Sequence, residues 1–220
     1  MPPVSAADTE KRLAAEAAAE LVESGMTVGL GTGSTVAHLL PAIARRGLDG
    51  IRCVATSVAT EEQARELGIP VEDFDRLTRL DIAIDGADEV APDGWLIKGG
   101  GGAHLREKVV AAAAGRFVVI ADSSKAVEAF TWPVPLELFG FGAASTLERL
   151  GPDVHLRDVP PSPDGGVIAD YRGPGLDDPA ALAARLEADP GVAAHGLFPP
   201  DMVSDVFIAR GDAVDRTSYT

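Results

Sequence analysis

Two hydrophobic periods alternate along the chain as far as residue 130. Residues 9–24 are rich in Ala, Glu and Leu, which predicts a helix closed by Gly25. The apolar run 26–30 predicts a strand. The stretch Gly31-Thr32-Gly33-Ser34-Thr35 separates it from a helical pattern over 36–46. Further strands are predicted at 51–55, 70–72, 80–84 and 116–121, with helices at 60–67 and 105–114. Strands alternating with helices predict an α/β fold of Rossmann-like type, a mostly parallel sheet with helices on both faces.

The pattern changes near Thr131, where proline and glycine begin to punctuate the chain. Residues 132–137 open this segment, 145–150 read as a helix, and 153–157 and 166–170 read as strands joined by the proline-rich loop 160–165. A helix over 179–188 closes at Asp189-Pro190-Gly191. Strand, helix, strand, strand, helix, strand is the order of a small α+β, ferredoxin-like lobe. The apolar run 203–209 returns to the large sheet. The expected organisation is a catalytic domain of residues 1–130 and 203–220, with residues 131–202 as an inserted lobe.

Composition narrows the function. The chain has 220 residues, 46% hydrophobic and 24% charged, an ordinary globular balance. It contains no apolar stretch of about 18 residues or more, so no membrane span is expected. Met1-Pro2-Pro3-Val4-Ser5 has neither a basic nor an apolar leader region, and a cytoplasmic location is expected. The single cysteine, Cys53, sits in the apolar run 51–55 and reads as a buried structural thiol. A net charge of -15 disfavours nucleic acid as a partner, because phosphate backbones require basic patches. The four lysines are Lys11, Lys98, Lys108 and Lys125, and the last three lie in or beside glycine-rich or strand-end motifs. In so acidic a chain this clustering favours a local anion site.

Three motifs carry candidate chemistry. In Gly31-Thr32-Gly33-Ser34-Thr35 the hydroxyls and the N–H groups of the following helix suit an anion or polyol, although a strand-to-helix turn with capping hydroxyls reads the same way. A dinucleotide fingerprint would need glycine where Ser34 or Val36 stands. Asp85-Gly86-Ala87-Asp88-Glu89 follows a strand at the carboxyl edge, where open parallel sheets bind ligands. Its acids would suit a metal or a solvated turn, but the EF-hand spacing is absent. In Lys98-Gly99-Gly100-Gly101-Gly102-Ala103-His104-Leu105-Arg106-Glu107-Lys108 the glycines bring backbone N–H groups against a ligand and lead into a helix carrying Glu107. By itself Glu107 also reads as an exposed acid favoured by the helix dipole, and His104 reads as a surface or loop histidine. A lesser motif, Ala121-Asp122-Ser123-Ser124-Lys125, sets Lys125 just after a strand.

Together and in this order, these segments resemble the ribose-5-phosphate isomerase A family. Gly191-Val192 and His195-Gly196-Leu197-Phe198 resemble a family loop near the end of the small lobe. The resemblance implies an aldose–ketose isomerase without metal or other cofactor, acting on a sugar phosphate and assembling as a homodimer or homotetramer. It implies substrate contacts at Thr32, Gly33, Ser34, Thr35, Asp85, Gly86, Ala87, Asp88, Lys98, Gly99, Gly100, Gly101 and Lys125. It also implies a phosphate contact at Lys11 and catalytic roles for Glu107, Asp85 and Lys98, with Glu107 as the proton-abstracting base. His104-Leu105 and the segment 132–144 depart from the family pattern. Two other readings of the same fold are a sugar-phosphate sensor and a relative of the acyl-CoA transferases. The sensor would need a DNA-binding segment ahead of the first helix.

Overall fold

A computed structural model describes residues 5–219, and the leaderless reading of Met1, Pro2, Pro3 and Val4 lies outside them. The described residues form helices α1 (Ala6–Ala19), α2 (Val36–Arg45), α3 (Val58–Glu66), α4 (His104–Ala113), α5 (Ala143–Leu150) and α6 (Pro179–Glu187). The strands are β1 (Thr27–Leu30), β2 (Arg52–Ala55), β3 (Ile82–Gly86), β4 (Glu89–Val90), β5 (Leu96–Ile97), β6 (Phe117–Asp122), β7 (Val134–Leu138), β8 (Val154–Leu156), β9 (Val167–Tyr171), β10 (Val192–His195), β11 (Leu197–Phe198), β12 (Asp205–Arg210) and β13 (Ala213–Ser218). They fall into two compact units. Residues 5–87, 106–126 and 201–219 make the first, and residues 88–105 and 127–200 make the second.

The first unit is built on a six-stranded sheet of order β13-β12-β6-β3-β1-β2. The strands from β12 to β2 are parallel, and β13 closes the edge as an antiparallel hairpin with β12. Alternate residues of a strand face opposite sides. Val28, Leu30, Ile82, Ile84, Val118 and Ile120 share one core with Ala14, Ala18, Leu39, Ile43 and Ala64 of α1, α2 and α3. Gly29 and Ala83 face the other side, toward α4. A Cβ at Gly29 would lie 2.5 Å from Val110 Cγ1 and 2.9 Å from Ala83 Cβ. Helices therefore cover both faces, as the alternating pattern predicts, and α4 approaches more closely than any side chain at position 29 would permit.

The second unit contains a four-stranded antiparallel sheet of order β10-β7-β9-β8, with α5 and α6 in the strand-helix-strand-strand-helix-strand order of a ferredoxin-like lobe. Val134, Leu136, Leu138, Ala169, Tyr171, Leu182 and Leu186 form its core. It also holds a three-stranded sheet, β11-β5-β4. The sequence division at residue 131 places 88–105 with the large domain, whereas in the structure this stretch pairs with 197–198 inside the second unit. Strands two residues long carry no period by which a sequence could reveal them.

Other differences have local causes. Residues 70–72 make one parallel bridge, Cys53 to Val71, rather than a strand. Pro70 has no N–H to extend the ladder. The helix expected over 9–24 ends at Ala19, where the Arg46 guanidinium takes the carbonyls of Ala19 and Val22. The unexpected strand β13 is exposed along most of its length and shows no apolar alternation. It is held by Asp205, a carboxylate only 2% exposed that accepts from Arg116 Nη2 (2.6 Å), Arg216 Nε (2.7 Å) and Ser218 Oγ (2.6 Å). Cys53 is fully buried, and burial pushes its thiol up to about 12. No helix among the described residues is long and apolar enough to cross a membrane.

Gly29→Val is expected to lower stability by about 1–3 kcal/mol by overpacking, read as a fall in the urea midpoint with an unchanged slope. Asp205 gives a pH test. Burial favours its neutral form, but hydrogen bonds from Ser218, Arg216 and Arg116 outweigh this and hold the carboxyl below its ordinary range. A depressed folded pKa stabilises above the unfolded value of about 3.9, and the contribution disappears as pH falls through the folded value. Asp205→Asn should therefore cost about 3 kcal/mol at neutral pH, and its deficit relative to wild type should shrink below about pH 4. Denaturant titrations at both pH values check this; a deficit that stays constant in acid would remove Asp205 from the pH response.

Candidate active site

In the first unit β3 lies between β1 and β6, so the carboxyl ends of all three share one edge. The chain runs from β1 outward to β2 and then crosses to β3 on the other side of β1. The β1/β3 junction is thus the switch point at which open α/β sheets bind ligands. Gly31 follows β1 there, and its missing Cβ makes room for Asp85 at the end of β3. An added Cβ would lie 1.9 Å from Asp85 Oδ1. The Asp85 carboxylate, 3% exposed, accepts the N–H groups of Thr32 (2.9 Å) and Gly86 (2.7 Å). Thr60 Oγ1 donates to the Gly31 carbonyl (2.8 Å), and the Thr32 and Thr56 hydroxyls pair at 2.7 Å. The loop is therefore rigidly braced from below.

Its upper side is open. Gly33 turns at φ +109°, and Gly33 and Ser34 are exposed. Thr35 stands at the N-cap of α2, yet its side chain makes no capping hydrogen bond. A simple capping turn does not account for this arrangement. Glu107 lies in the first turns of α4, three residues before Val110 and hence on the same face. Val110 packs on Gly29, so Glu107 sits one turn nearer the carboxyl ends of β1 and β3, on the face that also carries Asp85. It is only 6% exposed, unlike the exposed acid that the helix dipole alone would explain.

Lys125 follows β6 in a short 3-10 turn, Ser123–Lys125. Asp122 caps that turn by accepting the Ser124 N–H (3.0 Å). Glu10 on α1 accepts the N–H groups of Gly211 (2.8 Å) and Ser123 (2.9 Å), and these bonds hold its carboxyl below the ordinary range. The Glu10–Ser123 bond ties the α1 segment bearing Lys11 to the turn bearing Lys125. Sequence reasoning missed Glu10, which reads as one more acid on an acidic helix.

In the second unit, Lys98 directly follows β5 and is 2% exposed. Its N–H donates to the Gly196 carbonyl (2.9 Å), and its Nζ lies 5.5 Å from the centroid of the Phe198 ring. A Cβ at Gly196 would lie 2.1 Å from the Lys98 carbonyl oxygen, which gives that glycine its purpose. The Asp88 carboxylate accepts the Gly100 N–H (2.7 Å). Glu89 accepts from the N–H (2.9 Å) and hydroxyl (2.6 Å) of Thr131 and from the Trp132 N–H (3.0 Å). Asp85, Asp88 and Glu89 are thus each occupied with separate backbone donors. Among the described residues, no group of three or more His, Cys, Asp or Glu is placed to hold a metal ion. The glycine run turns through positive φ at Gly99 (+106°) and Gly102 (+76°). His104 is fully buried rather than at the surface as its sequence suggests. Gly99 rests on it, since a Cβ there would lie 2.7 Å from the ring.

Comparison with known proteins bears on the family of the chain. The family model for ribose 5-phosphate isomerase A (phosphoriboisomerase A) matches residues 52–213. The ribose-5-phosphate isomerase A of Caulobacter vibrioides is 47% identical over 96% of this chain and 98% of its own. That of Haloarcula marismortui is 44% identical, covering 94% of each. The crystal structure of ribose 5 phosphate isomerase A from Neisseria gonorrhoeae superposes with a TM-score of 0.91 at 33% identity, covering 97% of both chains. A D-ribose-5-phosphate isomerase solved in complex with phospho-erythronic acid gives a TM-score of 0.90 at 32% identity over 96% of this chain and 99% of that one. On the family model and on these relatives, the chain belongs to the ribose 5-phosphate isomerase A family.

Proposed function

We propose that this protein interconverts D-ribose 5-phosphate and D-ribulose 5-phosphate, an aldose–ketose isomerisation of the non-oxidative pentose phosphate pathway. The observation that carries the reading is the buried Glu107 carboxylate, set by the Gly29–Val110 contact on the same sheet face as Asp85. Isomerisation moves a proton between C1 and C2 through an enediolate, and needs one base and donors for the oxyanion. Glu107 takes the proton from C2 and returns it at C1, while the hydroxyl proton on O2 passes to O1 at the enediolate stage. Lys98, with the N–H groups of Gly99 and Gly101 on either side of Gly100, stabilises the enediolate oxygens. Asp85 and Asp88, beside Gly86 and Ala87, hold sugar hydroxyls and assist ring opening.

Thr32, Gly33, Ser34, Thr35, Lys125 and Lys11 hold the phosphate, whose binding orients the reacting carbons. A relative binds phospho-erythronic acid, and a sugar-acid phosphate suits the same set of donors. Family membership also supports a homodimer or homotetramer and a cytoplasmic location. The acidic net charge of -15 supports a small-molecule partner rather than nucleic acid.

The test is ketose formation from ribose 5-phosphate in the presence of a chelator, in which activity should persist. Glu107→Gln should cut kcat by at least about 100-fold while substrate still binds. Turnover close to wild type would remove Glu107 from the role of base, and a wild-type protein that forms no ketose would end the isomerase reading.

A further inference from the structure

The glycine run has a rear support that the proposed mechanism does not use. Arg157, just beyond β8, sends Nη1 to the carbonyl oxygens of Gly99 (3.1 Å) and Gly100 (2.8 Å). Its Nε and Nη2 both grip Asp170 Oδ1, at 3.1 and 2.6 Å. The two side chains are 16% and 10% exposed, so the clamp is largely desolvated. Asp170 is further approached by Arg172 at 3.5 Å.

Peptide geometry makes this contact directional. No cis peptide occurs among the described residues, and in a trans peptide the carbonyl and the N–H point opposite ways. Holding the Gly99 carbonyl therefore turns the Gly100 N–H away from Arg157, and that N–H meets Asp88 Oδ2 at 2.7 Å. The same peptide is thus pulled at both ends by opposite charges. Holding the Gly100 carbonyl likewise turns the Gly101 N–H to the side away from Arg157. A guanidinium against two carbonyls also polarises both peptides and strengthens their N–H groups as donors. The Gly99 carbonyl also accepts the Gly102 N–H within the turn (2.9 Å), whereas the Gly100 carbonyl, whose peptide carries the Gly101 N–H, is held by Arg157.

We propose that Arg157 is a positioning residue for the isomerisation, fixing the direction of the Gly101 N–H group from behind the turn. The proposal rests on the reading that this donor serves the substrate. A planar fork with several donors is required, because one side chain must reach a carboxylate and two carbonyls together. Lysine, a point charge, cannot span them. Behind the turn, a groove of about 500 Å³ lined by Arg157, Trp132, Pro161 and Arg172 gives small solutes access to the clamp.

Three proteins are compared in the ribose 5-phosphate assay: wild type, Arg157→Ala and Arg157→Lys. Each is first checked for folding by circular dichroism and thermal melting. The Gly101 N–H acts on the developing oxyanion, so kcat should fall about 10–100-fold in both variants, while KM moves less than about threefold. Guanidinium at about 20 mM, far below denaturing concentrations, should restore at least about tenfold of kcat to Arg157→Ala, whereas methylammonium should not. Arg157→Lys keeps a cation beside Asp170, so it isolates the loss of the fork if the alanine variant folds poorly. Folded variants with kcat within about threefold of wild type would overturn the proposal, as would a loss confined to KM or the absence of guanidinium rescue in a folded alanine variant. An inactive wild type overturns the isomerase reading and the proposal with it; an active wild type with unaffected variants overturns the proposal alone.

Discussion

The arrangement depends on two missing methyl groups in and after one short strand. Gly29 lets α4 lie against β1, and Gly31 lets Asp85 lie beneath the loop that follows. Both glycines face the same side of the sheet, two residues apart, and they act on different partners. The first sets how close the helix bearing Glu107 comes to the carboxyl edge. The second admits a carboxylate that organises the Thr32 loop. Neither glycine has a positive φ, so what they supply is room rather than backbone freedom. Interiors are packed closely enough that a single added carbon in either place must displace helix or carboxylate.

With that room available, buried carboxylates do much of the organising. Asp85, Glu89, Glu10 and Asp122 each accept a backbone N–H from a loop, and the half-buried Asp88 does the same for the glycine run. A buried carboxylate without donors is strongly disfavoured, so each acid and its loop constrain one another. The result is a set of turns whose shapes are fixed by charge-assisted hydrogen bonds, which are shorter and stronger than neutral ones. Two acids in the Asp-Gly-Ala-Asp-Glu motif look alike in sequence, yet Glu89 secures Thr131 and Trp132, whereas Asp85 secures the Thr32 loop.

How much of this was readable beforehand follows from which interactions are local. The parallel sheet, its covering helices and the ferredoxin-like order emerge from hydrophobic period and turn residues, because these are properties of contiguous segments. The glycine-rich loops announced themselves because glycine is scarce in regular elements. Three features stayed hidden. β4, β5 and β11 are too short to show a period. β13 is exposed and polar, and it is held through Asp205, whose other partner, Arg116, lies 89 residues away in sequence. His104, Phe198, Glu10 and Arg157 owe their placement to contacts with other segments: Gly99 with the first, Lys98 with the second, Ser123 with the third, Asp170 with the fourth. No single window contained both halves of the last three, and only His104 lay close enough to its partner for a motif to include both.

A chain of net charge -15 that holds an anion poses an apparent conflict, and the structure indicates how it resolves. Charges beyond about 8 Å are screened at physiological ionic strength, so the sum over the surface matters less than the donors nearest the ligand. Along the edge of the first unit the donors we propose are backbone N–H groups and hydroxyls, joined by Lys125 and Lys11, while the local acids are already occupied with loop donors. An acid that accepts two N–H groups has its charge largely satisfied within the fold and repels an incoming phosphate less than a free one. The acids that hold the loops in shape are therefore compatible with an anion in the same neighbourhood, and the surplus negative charge can lie elsewhere on the surface.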